Sequence, residues 1–180
     1  MSAENDLIEK IIEWQTKANS ENDPFDKYVS IFIAYNIFYN LYEKKKTGVF
    51  EDFVFGDSRR AIRTIELVEP HQLFSVIFSD LAEYLHIIPV FNEEYWPQRI
   101  LKNGTAGMPI SATLERAYSS RDEKQCVELL LKWLYKVRCN LVHGAKSYKD
   151  DHQKVLLIQS SKLLDRILTH MVENYKRRFP

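Results

Sequence analysis

Glycine is scarce in this chain, with five in 180 residues. Strand-like alternation bounded by turn residues is nearly absent as well, which argues against a sandwich or barrel. Two cysteines, Cys126 and Cys139, are too few for a disulfide framework, and no Cys/His spacing resembles a zinc site. The longest apolar stretch, residues 29–42, is interrupted by Asn36 and Asn40. It is shorter than the roughly 18 residues that a membrane span requires. The opening residues MSAENDLIEK are acidic and lack the apolar run of a signal peptide. No charge excess exists either: 25 Lys plus Arg balance 25 Asp plus Glu. Any nucleic-acid contact must therefore come from a local patch. The expectation is a reduced, cytoplasmic setting, with no membrane, metal or cofactor.

Aromatic residues, by contrast, are plentiful: ten Phe, ten Tyr and three Trp. Such a chain has ample side-chain area for one core and is not generally disordered. Helical periodicity dominates. Leu7, Ile8, Ile11 and Ile12 recur at helical spacing. Asp23-Pro24 then offers a cap followed by a proline whose missing donor is not needed. The second helix is expected from about Pro24 to Lys46, with Gly48 as its stop. Residues 49–57 read as a connector. Helices follow from Ser58 to before Pro70, from Pro70 to Pro89, and from Ser111 to about Tyr118, with turn signals crowding residues 92–110. Ser120 and Glu123 match a capping box for a strong helix ending at Gly144. A second capping start at 150–153 opens the last helix. The fold class expected is all-α, a single-domain bundle of five to seven helices over residues 1–180, with 49–119 its least regular part.

The joint before the last helix, residues 137–146, reads Val-Arg-Cys-Asn-Leu-Val-His-Gly-Ala-Lys. A joint needs only turn residues, yet this one gathers Arg138, Asn140, His143 and Lys146. On a straight helix Arg138 and His143 point about 140° apart. They converge on one ligand only where the helix ends near them, and Gly144 provides that end. The pair suits a phosphodiester. Arginine presents a permanently charged planar fork, and histidine exchanges a proton near neutrality. RNA brings its own nucleophile, the 2′-hydroxyl.

Arg138-Cys-Asn-Leu-Val-His143 resembles the Arg-x4–6-His signature of HEPN domains, all-α domains of prokaryotic toxins, phage-defence proteins and RNA-guided RNases. Phe32-Ile-Ala-Tyr-Asn36-Ile-Phe-Tyr39 is similar to the early aromatic helix with a central Asn in that family. The resemblance covers roughly residues 24–46 and 121–178. It implies a HEPN-like bundle and a metal-independent endoribonuclease, acting as a homodimer in toxin–antitoxin or phage-defence biology. RNA, and an antitoxin or other regulatory protein, are the implied partners. Arg138 and His143 would be catalytic, with Asn140 and Asn36 supporting. One position departs from the family: Cys139 stands where Asn, Asp or His is common, and a thiol does not replace their hydrogen bonds. The alternative is a catalytically inactive HEPN-like module binding RNA, a nucleotide or a protein partner.

Other basic residues read less sharply. Lys146, Arg59 and Arg63, the last two in a cluster with Arg60, are candidate RNA contacts, against the ordinary reading of solvated surface. Adjacent carboxylates at 93–94 and 150–151 read as caps and surface rather than a metal site.

Overall fold

The computed structural model describes residues 3–48, 56–87, 110–142 and 151–180. Within them the chain is all-helical, without a strand. Seven α-helices run in order: α1 (Ala3–Ser20), α2 (Pro24–Thr47), α3 (Asp57–Arg63), α4 (Pro70–Ile87), α5 (Ile110–Ser119), α6 (Glu123–Val142) and α7 (Asp151–Arg178). A 3₁₀ turn, Thr64–Leu67, continues α3.

The ends of α2 follow local chemistry. The Asp23 carboxylate accepts from the amides of Phe25 at 2.9 Å and Asp26 at 3.1 Å, satisfying two donors that the first turn leaves open. Pro24 opens the helix. Gly48 closes it with φ 71°, a left-handed conformation that favours glycine, and its N–H reaches Lys44 O at 2.8 Å.

The capping box expected at Ser120–Glu123 does not form. Ser120 still belongs to the exit of α5: its amide donates to Arg116 O at 2.9 Å and its hydroxyl to Ala117 O. Arg121 then turns left-handed, φ 55°, and the Asp122 amide donates back to Ala117 O at 2.9 Å. This wrap uses the residues that would have made the box. Asp122 caps α6 instead, accepting from Gln125 N at 3.1 Å. Glu123 is left to meet His71 Nδ1 at 2.8 Å. The helix expected from Ser58 to before Pro70 also divides, since after Arg63 the chain tightens to 3₁₀ geometry.

Helix α2 is the axis of the bundle. Tyr28, Ile31, Phe32, Ala34, Tyr35, Phe38, Tyr39, Leu41 and Tyr42 are all buried, more than one stripe can hold. A helix apolar on most sides must be covered on most sides. Accordingly α2 packs against α1, α7, α3 and α6. Helix α4 lies on α6 and α7, and α5 on α6. Every described helix adds side chains to one contiguous core, which includes Ala61 from α3 and Leu114 and Ala117 from α5. The buried hydroxyls are placed with care. Tyr35 Oη donates to Ala61 O at 2.6 Å beside Thr64 Oγ1 at 3.0 Å, tying α2 to α3. Leaving one such group unmatched costs about 1–3 kcal/mol.

Candidate functional site

Arg138 sits on the last full turn of α6, on the side that faces α2. Tyr28 sets the spacing there. Its buried hydroxyl donates to Leu134 O at 2.5 Å, the carbonyl one helical turn before Arg138. Beyond this contact the two helices part. A groove of about 200 Å³ opens between them, lined by Phe32, Ile33, Asn36 and Ile37 of α2 and by Arg138, Leu141 and Val142 of α6, among others. The groove is apolar apart from Asn36 and Arg138. Val29 and Val142 on its rim are 44% and 60% exposed.

The guanidinium of Arg138 is held by rings. Its carbon lies 5.8 Å from the centre of Phe32 and 6.0 Å from that of Tyr135. Those rings meet edge to face at 5.9 Å. Among the described residues Arg138 makes no ion pair. Burial draws its pKa down, but hydrogen bonding to Cys139 and the nearby Tyr135 and Asp57 outweigh that and raise it. The cation is secure and half-exposed.

Asn36 belongs to a longer polar string. Its Nδ2 donates to Tyr39 Oη at 2.7 Å, and its Oδ1 accepts from Asn40 Nδ2 at 2.8 Å. Asn40 Oδ1 accepts in turn from Arg60 Nη1 at 2.6 Å. Arginine can only donate, so it fixes which way both amides face. Arg60 Nη2 also donates to Asp57 Oδ1 at 2.8 Å, and Asp57 Oδ2 accepts from Tyr135 Oη at 3.1 Å. The string therefore begins at the groove, crosses from α2 to α3, and returns to the ring beside Arg138. Burial first, and then the Asp57 carboxylate, push the Tyr135 hydroxyl up to about 12 and raise that of Tyr39. Both remain protonated donors at neutral pH.

Of the residues singled out in the sequence, the structure brings Arg138 and Asn36 to one groove. Asn140 is half-buried two residues along α6, about 200° round the helix from Arg138. Arg63 donates to Glu43 Oε1 at 2.6 Å, a carboxylate only 2% exposed, and to Glu66 at 3.4 Å. Arg59 is exposed on α3. His143 and Lys146 lie outside the described residues. Sequence reasoning missed Asp57 and Tyr135, and read Arg60 only as part of a basic cluster with Arg59 and Arg63. Tyr135 could have been found, since it precedes Arg138 by three residues and so shares its helix face. Asp57 and Tyr135 are 78 positions apart, and no local rule joins them.

Among the described residues no group of His, Cys, Asp or Glu side chains could hold a metal, and no helix is long and apolar enough to cross a membrane. Comparison with protein-family models, with curated proteins and with solved structures returns no match.

Proposed function

We propose that the chain is a metal-independent endoribonuclease of the HEPN type, acting in the cytoplasm as a homodimeric toxin or phage-defence effector. The observation that carries this reading is the state of Arg138. It is a half-exposed cation at the mouth of a groove, steadied by aromatic faces and, among the described residues, not paired with a carboxylate. Five residues later comes His143. A structural arginine near a helix end is commonly spent on a carboxylate or on terminal carbonyls. This one is not spent on any carboxylate among the described residues.

In this mechanism Arg138 grips the non-bridging oxygens of the scissile phosphate and offsets the charge that grows there. Neutral His143 takes the proton of the 2′-hydroxyl. The 2′-oxygen forms a bond to phosphorus while the bond to the 5′-oxygen breaks. A protonated His143 of the partner subunit supplies the proton to that leaving oxygen. The products are a 2′,3′-cyclic phosphate and a 5′-hydroxyl. The exposed Val29 and Val142 beside the groove support pairing of two copies there, since unpartnered apolar side chains at a site edge favour association. An antitoxin or other regulatory protein would compete for the same surface.

The chemistry is tested by substituting a 2′-deoxynucleotide at the cleaved position, and separately by His143→Ala. Each should abolish cleavage, and cleavage that survives either one excludes the mechanism. A second reading, an inactive module that binds RNA, a nucleotide or a protein, is favoured by Cys139, whose thiol stands beside Arg138. Salt-dependent RNA binding without product would select it.

A further inference from the structure

We infer that Asp57 and Tyr135 are positioning residues for Arg138, with Asp57 acting through the Tyr135 ring. The role assigned to Arg138 rests on the ribonuclease reading, but the positioning itself does not. Arginine carries much side-chain conformational entropy, and a wandering fork loses it on each encounter with phosphate. Pairing Arg138 directly with a carboxylate would hold it still but would compete with the phosphate for the same donors. The structure holds it differently. Tyr135 sits one turn before Arg138 and places its ring 6.0 Å from the guanidinium carbon. The ring attracts the cation through its face and takes none of its N–H donors.

A half-exposed tyrosine ring alone would be a loose support. Its outer end is anchored by the 3.1 Å bond from Oη to Asp57 Oδ2. Asp57 is itself fixed through its other oxygen by Arg60 at 2.8 Å, and Arg60 by Asn40 at 2.6 Å. The Arg60 side chain is only 11% exposed, so this anchor sits inside the fold rather than on its surface. The two carboxylate oxygens thus have separate duties, one toward the core and one toward the ring. Helix α3 becomes part of the site without touching substrate. The Asp57 charge also helps to raise Arg138, an influence across the ring that points the same way.

The experiment follows the Arg138 Nε–H resonance by NMR in the full chain, assigned by its loss in Arg138→Lys, together with RNA cleavage and melting temperature. The variants are Tyr135→Phe, which keeps the ring and removes the anchor, and Asp57→Asn. Wild type should show one ring-shifted, slowly exchanging resonance. In Tyr135→Phe it should move toward the exposed-arginine region and exchange about tenfold faster, and cleavage at saturating RNA should fall about tenfold, the scale expected for a modest misplacement. In an Arg138→Ala background the same change should cost nothing further, as a double-mutant cycle requires of residues acting through one another. Should Asp57→Asn fail to fold, because Arg60 loses the Asp57 charge, Tyr135→Phe carries the test alone. An Arg138 resonance identical in Tyr135→Phe and wild type overturns the inference, whatever the RNA result. A loosened resonance in a protein that cleaves no RNA sustains the positioning and removes the ribonuclease reading.

Discussion

Two polar clusters cross this bundle, and they are built for opposite ends. One joins α4, α6 and α7. Trp133 Nε1 donates to Tyr84 Oη at 2.8 Å, and Tyr84 Oη meets Ser160 Oγ at 2.7 Å. All three side chains are buried and neutral. Tryptophan can only donate, so Tyr84 Oη accepts from it, and either hydroxyl can donate in the Tyr84–Ser160 bond. The other joins α2, α3 and α6 through Asn36, Asn40, Arg60, Asp57 and Tyr135. It carries charge, it is partly exposed, and it ends beside a cation at a groove. The first cluster fixes how helices pack. The second spends similar hydrogen bonds on holding one arginine that makes no ion pair among the described residues. Polar content alone does not mark a site. What marks it is binding capacity left over where a ligand can reach.

The comparison breaks most visibly at Arg138. Arg138→Ala should lower RNA cleavage at least about 100-fold, the scale for removing one preorganised transition-state donor. It should move the melting temperature little, since no ion pair among the described residues is lost. Arg63→Ala should do the reverse. Glu43 would stay buried without the guanidinium that now faces it at 2.6 Å, at a cost of about 3 kcal/mol in stability. Denaturant unfolding would measure that loss, with cleavage per folded molecule unchanged. Tyr84→Phe removes the buried oxygen that Trp133 Nε1 and Ser160 Oγ both meet and should cost about 1–3 kcal/mol, again without touching cleavage. A large catalytic defect in Tyr84→Phe with stability intact would dissolve the distinction between the clusters.

The smallest expected effect concerns pH. Burial lowers the pKa of His170 on α7, against the weaker pull of Glu173. A histidine whose folded pKa lies below its unfolded value binds fewer protons when folded. Its contribution is therefore complete above the unfolded pKa, about 6.5, and is lost as pH falls through the lower folded one. His170→Gln should unfold less readily than wild type below about pH 6, relative to the difference between them at pH 8, as read from urea midpoints.

Much of the fold was readable because its signals are local. Asp23-Pro24 and Gly48 bound α2 by chemistry that acts within four residues, and the structure shows each contact. The Ser120 box failed for a reason of the same kind: two helices competed for one short stretch, and the exit of α5 took the serine. The candidate site was legible only where it is linear. Arg138 and His143 stand in one motif, and Asn36 was visible as a polar break in an apolar run. Asp57 fell in what read as a connector, and Arg60 in a basic cluster with Arg59 and Arg63 on the next helix. Their meaning depends on α3 packing against both α2 and α6, a long-range arrangement that no spacing encodes.

The account rests most directly on one assay. Wild-type protein is incubated with an end-labelled structured RNA in excess EDTA, and the new ends are identified beside the Arg138→Ala variant. Wild type should give 2′,3′-cyclic phosphate and 5′-hydroxyl ends, and the variant at least about 100-fold less product. Cleavage that needs a divalent metal, or that proceeds equally well without Arg138, would contradict it.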